Sequence, residues 1–185
     1  MTPYPPKLHV YTGDGKGKTT ACVGLAVRAL GNGFKVWFIQ FDKGFDGKNE
    51  HYAERHVLRQ LPGLRLDPTG CERMQSNGRF RFGVTPADLA EARRALDLAQ
   101  EAIASKDYDM VILDEILSAQ QYHLIEDSDI LDLIAMWRST PHAELVLSGR
   151  SRLKAVIEAA DLVTEMVKVK HYFDEGLPAR PGIEY

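Results

Sequence analysis

The 185-residue chain is predicted to form a single α/β domain with a mainly parallel central sheet and helices on both faces. Two observations predict this class. Short, nearly continuous apolar runs, typical of strands buried on both faces, alternate along the chain with segments whose apolar residues recur at helical spacing. The length also suits one compact domain with a substantial core and is short for two.

The first elements are a strand, a glycine-rich loop and a helix. KLHVY (7–11) is the strand, and TTACVGLAVRALGNG (19–33) is a helix of small residues that ends at Gly31 and Gly33, because glycine commonly terminates helices. FKVWFIQF (34–41) follows as a buried strand. This order is the one that a phosphate-binding loop requires.

The middle of the chain contains one strongly predicted helix. Residues 42–84 mix a helix around 50–60 with glycine-rich loops. In TPADLAEARRALDLAQEAIAS, Thr85 is a suitable N-cap, Pro86 occupies the first helical position and Asp88 lies in the first turn. The apolar residues that follow recur at spacings of three and four, so a long amphipathic helix is expected.

The last part of the chain alternates strands with helices. The predicted strands are DMVILDE (109–115), AELVLSGR (143–150) and DLVTEMVKVKH (161–171), and the predicted helices lie near 129–138 and 153–160. This alternation predicts a parallel sheet with its ligands at the carboxyl ends of the strands.

Composition limits the class of partner and the compartment. The formal net charge of -3 gives no global basic field for nucleic acid, and no apolar run is long enough for a membrane span. The two cysteines, Cys22 and Cys71, have no disulfide-rich spacing, and the N-terminus lacks an apolar signal core. We therefore expect a cytoplasmic protein that binds neither nucleic acid nor membrane.

The stretch TGDGKGKTTACVG (12–24) predicts a phosphate-binding loop. It departs from the usual G-x-x-x-x-G-K-[ST] pattern because Thr12 stands at the first glycine position. Successive backbone N–H groups and the following helix dipole would bind phosphate, Lys18 would reach along the phosphate chain and Thr19 would face Mg²⁺. The second lysine, Lys16, suggests that a whole triphosphate is held. The residues assigned to nucleotide are Gly13, Asp14, Gly15, Lys16, Gly17, Lys18, Thr19 and Thr20.

Charged residues follow the other predicted strands. Asp114 and Glu115 end MVILDE, as in a Walker B segment that supplies a direct or water-mediated magnesium ligand. Arg150 and Lys43 each follow a strand and would reach an anionic group, and the alternative for Arg150 is a surface residue that begins a helix. Lys168 and Lys170 have a similar status, or else mark the solvent side of an edge strand. The histidines and cysteines lack metal-ligand spacing.

Several motifs together resemble the ATP:corrinoid adenosyltransferases of the BtuR/CobO type. They are TGDGKGKTTACVGLAVRALG, QFDKG, VILDE, SGR and the tail ADLVTEMVKVKHYFDEGLPARPGIEY. The tail is the discriminating part, because phosphate loops occur in many unrelated proteins. The resemblance covers almost the whole chain and is weakest in residues 45–84.

The resemblance implies a P-loop protein of RecA-like topology that is usually a homodimer. It implies transfer of the 5′-deoxyadenosyl group of ATP to the cobalt of a reduced corrinoid, with release of inorganic triphosphate. Lys16, Lys18 and Arg150, with Mg²⁺ held by Thr19, Glu115 and Asp114, would then stabilise the leaving triphosphate. A reductase or flavoprotein would supply electrons. The acceptor stays open among cobalamin, cobinamide and an a,c-diamide precursor.

Two departures from the family pattern bear on the corrinoid. The family removes the lower axial ligand of cobalt with an F-x-W segment, and the nearest match here is RFRFG, with Phe80 and Phe82; the alternative is that both pack under a loop. After the acidic pair, Leu117 and Ser118 replace the family's Asn-Tyr or Thr-Tyr. These departures favour, as one competing function, a nucleotide-binding protein without transfer activity. The other competing function is a phosphoryl-transferring ATPase or kinase that uses Asp114 or Glu115 to position its nucleophile.

Overall fold

The computed structural model describes residues 4–44, 50–73, 81 and 83–185. Within these ranges the strands form one parallel sheet in the order β3-β2-β4-β5-β1-β6. The strands are β1 (Leu8–Thr12), β2 (Val36–Gln40), β3 (Leu64–Pro68), β4 (Met110–Asp114), β5 (Glu144–Ser148) and β6 (Leu162–Glu165). The α/β class and the parallel sheet predicted from the sequence are confirmed.

The helices cover both faces of this sheet. They are α1 (Lys18–Gly31), α2 (Glu54–Leu58), α3 (Pro86–Ala104), α4 (Ile116–Gln121), α5 (Asp127–Ser139) and α6 (Lys154–Ala159), and a short 3-10 helix spans Tyr172–Glu175. On one face α1 packs Cys22, Ala26 and Ala29 against β2, β4 and β5. On the other face α3 and α5 pack against the sheet as part of the larger core cluster. No helix among the described residues is long and apolar enough to cross a membrane.

The start of α3 follows the sequence pattern closely. The Thr85 side chain accepts a hydrogen bond from the backbone N–H of Asp88, and the Asp88 carboxylate accepts one from the N–H of Thr85. This reciprocal capping box satisfies two N–H groups that the first helical turn leaves without partners. Pro86 follows the cap, where its missing N–H removes no helical hydrogen bond.

The structure differs from the predictions in residues 42–84. The helix expected around 50–60 is only the short α2, and the strand β3, which was not predicted, follows it. The sequence LRLDP lacks the continuous apolar run of a buried strand because β3 is an edge strand with half-buried residues. The short helix α4, directly after β4, was also not predicted.

The last strand is shorter than predicted and ends at Glu165, so Lys168 and Lys170 do not lie on it. Its partner β1 ends at Thr12, where the chain turns into the glycine loop, and no neighbouring strand continues the ladder beyond that point. The carbonyl of Met166 instead accepts a hydrogen bond from the N–H of Gly15. Lys168 and Lys170 form ion pairs with Asp174 and Glu175.

Candidate functional site

The glycine loop lies between β1 and the start of α1, as the sequence predicts. Gly13 and Gly17 have φ values of 101° and 121°, a region that favours glycine. A Cβ on Gly13 or Gly15 would also lie 2.4 or 2.7 Å from the carbonyl oxygen of Met166. These glycines therefore serve a second purpose that the loop pattern does not reveal, which is close packing against the segment after β6.

The Lys18 side chain lies inside this loop. Its Nζ donates hydrogen bonds to the carbonyl oxygens of Gly13, at 2.7 Å, and Gly15, at 2.8 Å. Burial lowers the pKa of Lys18, and the nearby Glu115 carboxylate partly opposes that shift. The ammonium is thus held by two backbone carbonyls within the glycine loop, at the start of α1.

Asp114, at the end of β4, is the centre of a buried hydrogen-bond network. Its Oδ1 accepts hydrogen bonds from the hydroxyls of Ser148, at 2.6 Å, and Thr19, at 3.1 Å. The side chain is fully buried, which by itself would raise its pKa, but the charge and hydrogen bond of Lys43 lead a set of interactions that lower it. We therefore infer that Asp114 is ionised. Its carboxylate lies between the loop and β5, where hydrogen bonds from the protein take the place of water.

Lys43, directly after β2, is brought to the same network. Its Nζ lies 2.7 Å from Oδ2 of Asp114 and 2.8 Å from Oγ1 of Thr19. Burial would lower the pKa of Lys43, but the charges of Asp114 and Glu115 outweigh burial and raise it. The sequence places Lys43 at the correct edge of the sheet as a phosphate contact, whereas the structure shows its ammonium bound to the acidic residue.

The buried Arg55 holds the backbone of Lys43 in place. Its Nη2 donates a hydrogen bond to the carbonyl oxygen of Lys43 at 2.5 Å. Its Nε donates to Gln40 at 2.6 Å, and its Nη1 donates to Glu50 at 2.9 Å. Its guanidinium also lies over the ring of Tyr52, 4.5 Å from the centroid. Arg55 was missed at the sequence level, since nothing in the α2 sequence distinguishes it from a surface arginine.

Glu115 follows Asp114 in a left-handed conformation with φ 63°, which turns the chain into α4. Its backbone N–H donates to the hydroxyl of Ser148 at 2.9 Å, and its carboxylate accepts a hydrogen bond from the Ser118 hydroxyl. The same Ser118 oxygen accepts the backbone N–H of Arg150 at 3.0 Å. Ser118, one of the two departures from the family pattern, thus links the acidic residue to the arginine.

The predicted loop residues 14–20 share one cavity of about 740 Å³ at the carboxyl edge of the sheet, whereas Gly13 does not line it. Lys16, Lys18, Lys43 and Arg150 supply its cationic groups. The wall also contains the acidic side chains of Glu115 and Glu54. The remaining predicted lining residues are Asp14, Gly15, Gly17, Thr19 and Thr20. Phe80 and Phe82 lie outside the described residues.

The C-terminal tail closes one side of this cavity. His171 and residues 182–185 line it together with residues of the glycine loop. The tail is fixed internally, because the Tyr172 hydroxyl donates to Glu184, whose carboxylate also accepts hydrogen bonds from Arg180. These contacts lower the pKa of Glu184 to about 2, the hydrogen bond from Arg180 being the largest cause. The sequence identified this tail as distinctive without indicating that it lines the same cavity as the glycine loop.

Comparison with known proteins gives a consistent result. Residues 6–185 match the family model described as ATP:corrinoid adenosyltransferase BtuR/CobO/CobP. The corrinoid adenosyltransferase of Escherichia coli (strain K12) is 34% identical over 179 residues, covering 95% of this chain and 84% of that protein. The Pseudomonas aeruginosa corrinoid adenosyltransferase is 33% identical over 178 residues, covering 96% and 83%.

Among solved structures, the flagellar accessory protein FlaH from Methanocaldococcus jannaschii is similar in fold. It superposes with a TM-score of 0.57 and 17% sequence identity, covering 87% of this chain and 71% of that one. At this identity the likeness concerns the fold alone.

Proposed function

This chain belongs to the BtuR/CobO/CobP family of ATP:corrinoid adenosyltransferases, and we propose a specific role for each part of its cavity in that reaction. The reaction class is transfer of the 5′-deoxyadenosyl group of ATP to a corrinoid. The Co(I) electron pair forms a bond to the ribose 5′ carbon, the bond from that carbon to the phosphate oxygen breaks, and triphosphate leaves.

The leaving triphosphate is the group that the glycine loop would stabilise. Lys18 is buried among loop carbonyls, and Lys16 and Arg150 line the same cavity. Positive groups fixed before reaction stabilise the charge that develops on a leaving group better than water does. We assign the catalytic contacts with the triphosphate to Lys16, Lys18 and Arg150, and backbone contacts to residues 13–20.

Magnesium fits the oxygen donors at this edge of the sheet. The hydroxyl of Thr19 and the carboxylate of Glu115 line one cavity, and hard oxygen donors are those that Mg²⁺ prefers. We assign the ion to Thr19 and Glu115, with Asp114 supporting Thr19 through the hydrogen bond that it accepts from that hydroxyl. When bound, Mg²⁺ would supply further charge stabilisation for the triphosphate.

The reactivity of the reduced corrinoid explains why the protein needs only to position the substrates and to stabilise the charge of the leaving group. Co(I) is a very strong nucleophile, so the protein has to hold the 5′ carbon in line with cobalt and stabilise the leaving group. The observation that carries this proposal is the shared cavity, which the tail residues 182–185 line together with the glycine loop. A plain phosphate-transferring protein has no need for that tail.

Three features implied by the family resemblance, and the cytoplasmic location expected from the sequence, belong to the same proposal. Phe80 and Phe82 would displace the lower axial ligand of the cobalt, and a reductase or flavoprotein would deliver the electrons. The protein would act as a homodimer in the cytoplasm. If the phenylalanines act in this way, replacing both with alanine should impair an assay that starts from Co(II) much more than one that starts from Co(I).

The test is incubation of the protein with ATP, Mg²⁺ and chemically reduced cobalamin under anaerobic conditions. We expect formation of light-sensitive adenosylcobalamin, measured by its absorption spectrum before and after photolysis. ATP binding without any such product, even when all cobalt is supplied as Co(I), would instead support a nucleotide-binding protein without transfer activity.

A further inference from the structure

The Lys43 ammonium contacts two oxygen atoms, one from Thr19 and one from Asp114, of the kind that a metal cation binds. It is 2.8 Å from Oγ1 of Thr19 and 2.7 Å from Oδ2 of Asp114. In phosphate-loop proteins Mg²⁺ is normally held by the loop hydroxyl and by the acidic residue at the strand end. Here a side chain of the protein itself supplies a positive charge between them.

The backbone around Lys43 is fixed by its neighbours. Its N–H donates to the carbonyl oxygen of Thr69 at 2.8 Å, and its own carbonyl accepts from the buried Arg55 at 2.5 Å. The preceding Asp42 has φ 48°, and a Cβ on Gly44 would lie 2.1 Å from the carbonyl carbon of Cys71. The lysine therefore has a built position and is not a surface side chain that happens to reach the acid.

The carboxylate of Asp114 has its oxygens already engaged. Oδ1 accepts from Ser148 and Thr19, and Oδ2 accepts from Lys43 and, at 3.5 Å, from Gln40. A directly bound Mg²⁺ would have to approach within about 2.0–2.1 Å of one of these oxygens. Asp114 is fully buried and does not line the cavity, whereas Thr19 and Glu115 do, and an ion at Oδ2 would have to displace the Lys43 ammonium from it.

The hydroxyl of Thr19 is oriented by the same pair. It donates its proton to Asp114 and accepts a hydrogen bond from Lys43. A hydroxyl has one proton and two lone pairs, so one lone pair of Thr19 stays available to a metal ion. Lys43 and Asp114 together thus prepare Thr19 as a ligand.

We propose that Lys43 is a positioning residue, the permanent counter-cation of Asp114, so that the divalent ion takes its protein oxygens from Thr19 and Glu115 and none from Asp114. The metal assignment rests on the function proposed above. The role of Lys43 itself is a statement about which oxygens a divalent ion can reach. It can therefore be measured without corrinoid or turnover.

The decisive experiment is Mn²⁺ binding to the full chain without nucleotide, followed by the loss of the free-ion electron paramagnetic resonance signal. Lys43→Met removes the ammonium and opens Asp114 to the metal, so its Mn²⁺ affinity should rise by roughly tenfold or more over the unsubstituted protein. Lys43→Arg keeps the charge and should stay at the original level. Adding Asp114→Asn to Lys43→Met should remove the gain. Equal Mn²⁺ affinity in Lys43→Met and the unsubstituted protein would overturn the proposal.

A second measurement decides the question if Lys43→Met does not fold. The double variant Lys43→Met/Asp114→Asn replaces the ion pair by neutral groups of similar size and removes support for Thr19 but no metal ligand, so its affinity for Mn²⁺·ATP should fall clearly less than that of Glu115→Gln, which should lose roughly tenfold or more. A loss in the double variant as large as that in Glu115→Gln would make Asp114 a ligand and sink the inference. Failure of adenosyl transfer with these binding results intact would count against the proposed function alone.

Discussion

The hydroxyl of Ser118 donates a hydrogen bond to the carboxylate of Glu115. The serine oxygen also accepts the backbone N–H that begins the Arg150 segment, so one small side chain spans the ends of β4 and β5. There is little room for change beside it, since a Cβ on Gly149 would lie 2.3 Å from the backbone nitrogen of Ser118. Ser118 therefore links the orientation of Glu115, the proposed metal ligand, to the position of Arg150, the proposed phosphate ligand.

The first prediction concerns this link. Ser118→Ala should leave the fold intact but lower kcat/KM for Mg·ATP by roughly tenfold, because second partners of metal ligands typically contribute about 10–100-fold. Steady-state kinetics with saturating Co(I) corrinoid measures the effect. Ser139→Ala, at the exposed end of α5, is the matched control and should behave as the unsubstituted protein. An unchanged kcat/KM in Ser118→Ala would show that Glu115 needs no such support.

The second prediction concerns the lysine inside the loop. Lys18→Ala removes the ammonium that Gly13 and Gly15 hold, and transfer should fall by roughly a hundredfold or more, as when one fixed donor to a developing charge is lost. Single-turnover formation of adenosylcobalamin is the measurement. Lys154→Ala, whose side chain is 87% exposed, is the control and should have normal turnover. Near-normal turnover in Lys18→Ala would mean that the loop has been misassigned.

The third prediction compares two glycines. Gly15→Ala would force a Cβ to within 2.7 Å of the Met166 carbonyl oxygen, so the free energy of unfolding should fall by about 1–3 kcal/mol and ATP should bind more weakly. Gly24→Ala, in the exposed interior of α1 with open space around the new Cβ, should instead stabilise the protein by about 0.5–1 kcal/mol. Denaturant unfolding of both variants, with ATP titrations, measures the contrast. Equal effects would argue against the close approach of the tail segment to the loop.

The fourth prediction is a pH dependence of stability at the start of α3. Hydrogen bonds from Arg81, at 2.6 and 2.9 Å, lead the interactions that hold the pKa of the Asp88 carboxyl well below its usual value. A carboxyl whose pKa is lowered by folding stabilises the folded state fully above its unfolded pKa, about 3.9, and loses that contribution gradually as the pH falls from there through the lower folded pKa. Asp88→Asn should therefore lower the free energy of unfolding by about 1–3 kcal/mol at pH 7 and by a smaller amount at pH 3, where part of the contribution has been lost.

Denaturant unfolding at both pH values measures this difference. Asp97→Asn removes an exposed carboxylate on the same helix, 3.8 Å from Arg93, and should change the free energy of unfolding by less than about 0.5 kcal/mol. A difference between Asp88→Asn and the unsubstituted protein that is the same at pH 7 and pH 3 would contradict the account of the cap.

Much of the fold could be predicted because its signals are local. The glycine loop, the capping box at Thr85 and Asp88, and the apolar run of β4 each lie within a few neighbouring residues. β6 was predicted too long because apolar residues suggested burial, whereas Leu162 and Val163 are 42% exposed on an edge strand with one neighbour. Burial on an edge depends on the rest of the sheet, which the local sequence does not contain.

In the site, too, the residues of local motifs could be predicted, whereas the contacts made between distant segments could not. The loop residues and the acidic pair follow from their spacing, whereas the contact between Lys43 and Asp114 depends on the register of β2 with β4, in which Gln40 lies beside Asp114. Arg55 and Ser118 gain their importance from partners that are distant in sequence or set by the turn into α4. Such relationships arise when the strands pair, so the motif alone could not reveal them.

The central claim is that the bond broken in ATP is the one at the ribose 5′ carbon, and the products test it most directly. The protein should be incubated with ATP, Mg²⁺ and cob(I)alamin prepared by chemical reduction, and the phosphorus products followed by ³¹P NMR while adenosylcobalamin is measured by absorption. The account predicts intact inorganic triphosphate in equal amount to adenosylcobalamin. ADP and orthophosphate in place of triphosphate, with the cobalamin unchanged, would contradict it.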